Sequence, residues 1–263
     1  MGINETKNQN MKDLRKRMLY IKIKFKMRYL YLCCFMLLFL SLCGCLKQKT
    51  YLTLMPDGSG KIEVFYASTI SLPNNTNIQT LGDNVHGSVA ITNKRIFKEN
   101  DWECFTYTVY FEDINKLEFI GGEGTKITYT LSKDDQNYIL VIENQRAAEE
   151  SKKQLQYLEK STPEELLKMQ RVFRGLEITE VYELPGEVYE YVGGLSQNGR
   201  VVSAILTERE VTDKIKMEKA IKSQWPLKRT IGYRLSEIDS DKIKIFKNEM
   251  RQAKESSARQ LSE

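Results

Sequence analysis

The sequence predicts an α+β fold built mainly on antiparallel β-sheet, with two central helices and an amphipathic helix at the C-terminus. Three observations predict it. Segments of alternating apolar residues come in pairs joined by short turns, two helix-forming segments separate those pairs from later strands, and a charged segment of helical period ends the chain. Strands and helices that are grouped rather than alternating favour the α+β class over a parallel α/β sheet.

The first predicted element is a β-hairpin that starts at residue 46. Leu46 to Met55 leads into Pro56-Asp57-Gly58-Ser59-Gly60, where proline fixes φ and glycine accepts positive φ. Residues 61–66 then alternate as a second strand, and the polar residues 68–87 are predicted as a loop or a short weak helix. A longer strand follows over 104–111, with four apolar side chains on one face.

Further strands lie on both sides of the centre of the chain. Residues 111–117 indicate a strand end that runs into a helical turn, and residues 126–131 and 138–142 form a second hairpin. After the centre, strands are predicted over 176–184 and near 200–206.

The two central helices are predicted from composition and capping. Residues 145–160 are rich in Ala, Glu, Lys and Gln, which are good helix formers. The second helix starts with Thr162 as its N-cap, Pro163 at its first position and Glu165 completing a capping box. Gly175 stands where the helix would end.

An apolar run near the N-terminus predicts export. Basic residues precede an uncharged run from Tyr29 to Leu42, which is shorter than the about 20 residues needed to cross a bilayer. We therefore expect a signal peptide over residues 1–44 rather than a transmembrane helix. Residues 1–26 have no apolar period and are interpreted as an extended n-region or a misassigned start, since Met18 and Met27 would each begin a conventional signal.

The end of this run, Leu42-Cys43-Gly44-Cys45, resembles the lipobox of bacterial lipoproteins. The resemblance implies that signal peptidase recognises Leu42, Cys43 and Gly44, and that Cys45 becomes the N-terminus carrying a diacylglyceryl group and an N-acyl chain. Cys43 departs from the more usual serine or alanine at its position. Each buried methylene adds about 0.8 kcal/mol of membrane affinity, so two or three acyl chains hold a domain stably. The alternative is an ordinary cleavable signal beside a chance cysteine.

Removal of residues 1–44 changes both the charge and the cysteine count. The whole chain carries +5, but those residues hold nine of the 40 basic and two of the 35 acidic side chains, which leaves a net charge of −2. The apparent basicity therefore gives no sign of nucleic-acid binding. Of five cysteines, only Cys45 and Cys104 would remain, and an acylated Cys45 leaves no internal disulfide.

Beyond the lipobox, the order and spacing of turns and strand ends resemble bacterial lipoproteins that carry an LppM-type domain. The similarity spans residues 45–207 and rests on the hairpin turn 54–60, Phe111-Glu112-Asp113-Ile114, the helix before Gly175, Leu184-Pro185-Gly186-Glu187-Val188 and Gln197-Asn198-Gly199-Arg200-Val201-Val202. Ser203-Ala204-Ile205 stands where the family has a tryptophan. The resemblance implies a lipid-anchored, β-rich domain at the cell envelope, associated in some members with lipid binding, and it brings no catalytic residues.

Residues 208–263 are predicted as a C-terminal extension of that domain. Residues 209–234 mix basic, aliphatic and tryptophan side chains, which suits either contact with anionic headgroups or packing on the domain. Acidic residues dilute the charge and favour packing. Residues 240–261 place Phe246 and Met250 on one helical face, which predicts an amphipathic helix that docks on its own domain rather than on a partner.

No pattern in the chain is typical of a catalytic or metal site. His86 is the one histidine, and Cys, His and carboxylate residues show no zinc-ligand spacing. His86 and Cys104 could be proposed as a nucleophile pair only because each is the sole unmodified residue of its type left in the mature chain. Cys104 alternates with threonines along a predicted strand, which is typical of a structural thiol. Asp134-Asp135 and Glu164-Glu165 are predicted as a turn and a helix start, and Gly121–Gly124 lacks a phosphate-binding lysine. We expect no catalytic residue, no metal and no cofactor beyond covalent lipid.

These observations predict a non-enzymatic envelope lipoprotein, anchored to the bacterial cell membrane or the outer membrane and facing the extracytoplasmic side. One hypothesis is a module that binds a lipid or glycolipid in a β-rich groove. The alternative is a structural or assembly lipoprotein that contacts other envelope proteins through its C-terminal helix. An unbroken apolar groove would support the first, and an exposed Phe246 and Met250 face would support the second.

Overall fold

The computed structural model describes residues 46–69, 82–120, 125–145, 147–222, 228–235 and 240–260, all within one compact unit, Gly44–Glu263. The strands in these ranges are β1 (Leu46–Leu54), β2 (Gly60–Ser68), β3 (Val85–His86), β4 (Ala90–Glu99), β5 (Trp102–Phe111), β6 (Glu118–Ile120), β7 (Lys126–Asp134), β8 (Asn137–Asn144), β9 (Glu177–Glu183), β10 (Gly186–Val192), β11 (Ser196–Asn198), β12 (Val201–Thr207) and β13 (Lys228–Leu235). The helices are α1 (Ala147–Lys160), α2 (Pro163–Val172), α3 (Glu208–Thr212), α4 (Lys214–Lys222) and α5 (Ser240–Gln260), with a one-turn 3₁₀ helix at Ile114–Lys116.

The strands form two sheets that are mostly antiparallel. The first sheet has the order β11-β12-β9-β1-β2-β5-β4, and the second has the order β10-β13-β8-β7-β6-β3. Within the described residues β1 and β9 form a parallel ladder, and the other ladders are antiparallel. The predicted α+β class is confirmed, with α1 and α2 at the centre of the chain and α5 at its end.

Local chemistry explains why the predicted hairpin turn and helix start form where they do. Gly58 has φ of 84° in the turn between β1 and β2, and the Asp57 carboxylate accepts a hydrogen bond from the Ser59 N–H at 3.1 Å. At the start of α2, the Thr162 hydroxyl accepts from the Glu165 N–H at 3.3 Å. The Glu165 carboxylate in turn accepts from the Thr162 N–H at 2.7 Å, which completes the capping box.

The core lies between the two sheets. Alternation along each strand sends every second side chain inward, so the apolar face predicted for β5 packs against the second sheet. The fully buried members of this core from the first sheet and its turns include Leu52, Ile62, Val109, Phe111, Ile114, Leu117 and Val202, and those from the second sheet include Leu140, Ile142, Ile231 and Tyr233.

Helix α5 covers part of the outer face of the first sheet. The apolar side chains of one face of α5 are buried there, in a small cluster formed by Phe246, Met250, Ala253, Ala90 and Tyr110. The amphipathic helix predicted from the sequence therefore docks on its own domain.

Residues beyond 207, predicted as an extension, also contribute to the second sheet. Strand β13 lies between β10 and β8, and it pairs with β8 from Lys228 to Arg234. Arg229 lies within the basic stretch that was considered for headgroup contact, yet its side chain is buried. The second sheet thus depends on residues 228–235, and the described parts of the 209–234 stretch, 209–222 and 228–234, form helix and strand.

Among the residues that the structure describes, none of the helices is both long and apolar enough to span a membrane.

Candidate functional site

The two ends of the sandwich differ in how completely the inner faces of the sheets are buried. The end at which β1 begins is called the anchor end. Register places side chains of the first sheet in rows that cross the strands. A terminal inner row at the anchor end consists of Leu46, Ser68 and Glu103, of which Ser68 is buried. Counted from the row after it, the third inner row is at most 4% exposed and consists of Val202, Tyr182, Leu52, Ile62 and Val109. The first inner row is partly exposed throughout and consists of Leu206, Ile178, Gln48, Tyr66 and Phe105.

The second sheet shows the same change toward this end. Tyr129, Ile142 and Arg229 form a buried row across β7, β8 and β13. The next row toward the anchor end is partly exposed and consists of Phe119, Ile127 and Asn144. From this partial exposure we infer an opening between the two rows, and we name it the cleft.

Aromatic rings line much of the cleft. The rings of Tyr66 and Phe105 are stacked with centroids 4.7 Å apart, and Phe105 in turn lies 6.2 Å from Tyr107. On the opposite sheet, Phe119 meets Tyr129 edge-on at 6.3 Å. Stacked and edge-on aromatic pairs attract one another beyond the effect of buried area, so these contacts help to fix the positions of the rings.

A charged pair forms the base of the cleft. The Arg229 guanidinium on β13 lies 2.5 Å from the Glu180 carboxylate on β9, so the pair joins the two sheets. The Tyr182 hydroxyl donates to the same carboxylate at 2.8 Å. Burial raises the pKa of Tyr107 to about 12, and burial followed by the charge of Glu180 raises the pKa values of Tyr129 and Tyr182. These phenols therefore stay protonated and serve as hydrogen-bonding groups.

This arrangement combines an apolar, aromatic opening with a small polar base. Ligand sites are typically concave and mostly apolar, with a few polar groups that fix orientation. The apolar rows can bury hydrocarbon, and the Arg229–Glu180 pair with its neighbouring hydroxyls can hydrogen-bond a polar group. An amphiphile matches both parts of the cleft.

Four helices connect strands at the anchor end. Helices α1 and α2 lie between the end of β8 and the start of β9, and α3 and α4 lie between the end of β12 and the start of β13. Helices α1, α2 and α4 share a small core that includes Leu158, Met169 and Met217. The Gly175 N–H donates to the Glu208 carboxylate at 3.3 Å, which ties the end of α2 to α3.

The predicted lipidation site adjoins this end of the domain. Leu42, Cys43, Gly44 and Cys45 lie outside the described residues, so the lipobox stays a prediction. Leu46, the residue after Cys45, is the first residue of β1.

The residues considered for chemistry are not brought together. His86 is exposed on β3 of the second sheet, whereas Cys104 is buried on the outer face of the first sheet, where burial raises the pKa of its thiol. Asp134 and Asp135 form an exposed turn, and Glu164 and Glu165 lie in the first turn of α2. Within the described ranges, His, Cys, Asp and Glu side chains form no group of three that could hold a metal ion. Gly121–Gly124 lies outside them.

Sequence reasoning missed the Arg229–Glu180 pair. Both residues looked like ordinary strand or surface charges, and their partnership depends on two strands in different sheets. The one local signal is that Glu180 and Arg229 each occupy an inward position in a strand of alternating period.

A second depression, of about 420 Å³, lies between the β1–β2 turn and α5. Two ion pairs cross it, Lys247 with Asp57 at 3.1 Å and Lys254 with Glu112 at 2.5 Å. These contacts hold α5 against the turn, and we assign the depression a structural role.

Comparisons with known proteins give distant similarity to solved structures only. No family model matches the chain, and the search of curated proteins finds no match. Among solved structures, the chain is similar to the NMR structure of the folded domain of Mycobacterium tuberculosis LppM. The identity is 11%, the TM-score is 0.37, and the match covers 74% of this chain and 92% of that chain. At this TM-score the similarity does not establish a shared fold, and membership of the LppM-type family stays a prediction.

Proposed function

We propose that this protein is a lipid-anchored envelope protein without enzymatic activity, and that it binds a lipid or glycolipid in the cleft. The observation that carries the proposal is the partly exposed apolar row of the first sheet, which faces a similar row of the second and has the Arg229–Glu180 pair at its base. In the third row the same faces are fully packed. The opening is therefore confined to one end of the sandwich.

The energetics favour an apolar guest in this position. Burying apolar surface contributes roughly 25 cal/mol per Å², so filling the cleft with hydrocarbon would remove both the ligand and the partly exposed rows from water. The base is electrically balanced, because Glu180 compensates Arg229. The polar group of the ligand thus meets hydrogen-bond donors and acceptors rather than a net charge.

The proposed compartment follows from the lipobox resemblance. Acylation of Cys45 would hold the domain on the extracytoplasmic side of the cell membrane or the outer membrane. The protonated tyrosines and the compensated ion pair suit binding better than proton transfer, which supports a non-enzymatic role.

The alternative function, assembly through the C-terminal helix, receives no support from the face predicted for it. Phe246 and Met250 are buried against the outer face of the first sheet. An assembly role would need a different surface.

Native mass spectrometry of residues 46–263 tests the proposal. The protein would be mixed with vesicles of envelope lipid extract, separated from them, and examined under gentle activation. We expect a discrete lipid adduct that is lost on delipidation. A mass equal to that of the polypeptide alone, from protein with unchanged circular dichroism, would contradict lipid binding in the cleft.

A further inference from the structure

We propose that the anchor end of the first sheet rests directly on the leaflet that holds the lipid anchor, so that the cleft opens at the membrane surface. This inference rests on the proposed acylation of Cys45. It adds the orientation of the domain and the partner of this end of the sheet, which is a lipid surface.

No flexible linker would separate the proposed lipid anchor from the first strand of the domain. One peptide bond separates Cys45 from Leu46, the first residue of β1. Consecutive Cα atoms are about 3.8 Å apart, whereas the headgroup region of one leaflet is about 5–7 Å deep. An acylated Cys45 would therefore hold the start of β1 at headgroup level. Strands β2, β5 and β4 extend from β1 on one side of the first sheet, so their ends at this edge come close to the membrane, whereas α2 and α3 adjoin the ends of β9 and β12 on the other side.

The side chains at this edge suit a membrane interface. Trp102 begins β5, one position beyond the row that joins Leu46, Ser68 and Glu103, and it therefore lies at the extreme end of the sheet. The Lys47 ammonium lies 5.0 Å from the centre of the Trp102 ring. Tryptophan is enriched where membrane meets water, and a lysine can extend its apolar stem along such a surface with its charge in water.

Exposed apolar side chains stand on both sides of the anchor. Phe97 lies on β4 in the same cross-strand row as Lys47, and it is 39% exposed. Ile205, on β12 at the other side of β1, is 58% exposed. Strands are about 4.8 Å apart, so these residues lie about 14 and 10 Å from β1. Apolar contacts on opposite sides of a central anchor would keep the sheet upright on the leaflet.

The charges at this edge indicate an apolar rather than an electrostatic contact. Lys47 and Lys98 are accompanied by Glu99, Asp101 and Glu103. Attraction to anionic lipid needs a clear excess of basic residues near the surface, and the described ends of β1, β4 and β5 have none. We therefore expect the contact to depend little on anionic lipid or on salt.

In this orientation a lipid ligand would enter the cleft directly from the leaflet. Tyr66 and Phe105 lie on the face opposite Lys47, in the inner row that follows the terminal row of Leu46, Ser68 and Glu103. A lipid that leaves the leaflet beside the anchor would reach this aromatic row without crossing bulk water.

Depth-dependent fluorescence quenching tests the orientation in the full lipidated chain. The chain has two tryptophans, so Trp225→Phe leaves Trp102 as the single reporter. The protein is reconstituted into phosphatidylcholine vesicles, with and without phosphatidylglycerol, that contain a phosphatidylcholine spin-labelled just below its headgroup. The matched control is the triple variant Trp102→Phe, Trp225→Phe, Gln136→Trp, which moves the reporter to the exposed β7–β8 turn at the other end of the sandwich.

We expect the spin label to quench Trp102 at least about twofold more strongly than the Gln136→Trp reporter, equally with and without phosphatidylglycerol, because interfacial tryptophans sit at headgroup depth. Equal quenching of the two reporters on vesicles that carry the protein would overturn the orientation and leave the anchor intact. Protein that does not float with vesicles, and whose Cys45 peptide has no acyl mass, would overturn the anchor and this inference together. Strong quenching without a native lipid adduct would retain the orientation and remove the proposed ligand.

Discussion

Arg229 and Glu180 form an ion pair that joins the two sheets at the base of the cleft, with 2.5 Å between guanidinium and carboxylate. Their side chains are 7% and 21% exposed. The pair lies where the tightly packed core gives way to the partly exposed rows, so the same contact links the stability of the sandwich to the chemistry of the candidate site.

Breaking this pair from one side should destabilise the protein strongly. Glu180→Gln leaves the buried Arg229 charge uncompensated, and we expect a loss of about 3 kcal/mol in the free energy of unfolding. Replacing both partners by Glu180→Leu and Arg229→Met should cost much less, because no charge then stays buried. Urea unfolding measures both. A double variant as unstable as the single one would show that the pair itself stabilises the fold.

A neighbouring surface pair provides the control for that experiment. Lys228 and Glu143 are 2.8 Å apart on adjacent strands, and both side chains are more than two-fifths exposed. Exposed ion pairs contribute at most about 1 kcal/mol, so Glu143→Gln should shift the urea midpoint only slightly.

The docking of α5 should weaken in acid through Glu249. Its carboxylate is 2.9 Å from the Lys61 ammonium and accepts from the Tyr110 hydroxyl at 2.7 Å. Burial alone would raise the pKa of Glu249, but these two partners lower it below its ordinary value of 4.5. The unfolded chain then binds the proton more readily than the folded chain. The stabilisation is therefore complete above pH 4.5 and is lost as the pH falls through the lower folded value.

The dependence of unfolding on pH checks this assignment. Glu249→Gln should be less stable than the wild type at neutral pH and should lose less stability in acid. Since Lys61 and Glu249 act through one contact, Lys61→Met combined with Glu249→Gln should have the same acid profile as Glu249→Gln alone. A further change in that profile would show that Lys61 acts elsewhere.

Adjacent residues of α5 should respond very differently to truncation. Phe246 is buried against Tyr110, with ring centroids 6.3 Å apart, whereas Ile245 is 66% exposed. We expect Phe246→Ala to cost about 3 kcal/mol because it opens a cavity. Ile245→Ala should change the free energy of unfolding by less than about 0.5 kcal/mol, as surface substitutions usually do. Equal losses in thermal unfolding would contradict the docking of this face.

The elements that the sequence predicts well are those whose causes are local. The turn with Gly58 at positive φ, the Thr162 capping box and the inward face of β5 all follow from a few neighbouring residues. The same reasoning predicts the docked face of α5, because its apolar residues recur at helical spacing.

The elements that the sequence does not predict are set by distant partners. Strand β4 carries charged and exposed side chains for most of its length and forms because it can pair with β5. The parallel ladder between β1 and β9 has no local signal. Arg229 was grouped with surface-basic residues, and only the pairing of β13 with β8 turns its side chain toward Glu180. The lipobox is predicted from a local motif, whereas the cleft depends on residues of two sheets and has no local signal in the sequence.

The membrane anchor should depend on one sulfur. Cys45→Ser removes the predicted acylation site, and we expect an uncleaved precursor that does not incorporate labelled fatty acid and does not reach the gel mobility of the cleaved protein. The control, Cys104→Ser, changes a thiol that is buried within the domain and should leave labelling unchanged. Full processing of the Cys45→Ser chain, with wild-type partition into detergent phases, would rule out the lipobox.

The aromatic wall of the cleft should carry lipid affinity that the other face of the same sheet does not. Phe105 and Phe65 lie on adjacent strands and are both partly exposed, but Phe105 faces the cleft and Phe65 faces outward. We expect Phe105→Ser to raise the Kd of residues 46–263 for NBD-labelled phosphatidylethanolamine about tenfold. Such a change corresponds to a loss of about 1.4 kcal/mol in binding free energy. Phe65→Ser should bind as the wild type does. Both variants lose an aromatic ring from the same sheet, so thermal unfolding of each separates a loss of fold from a loss of ligand. Equal affinities of the two variants, with both folded, would place the lipid outside the cleft.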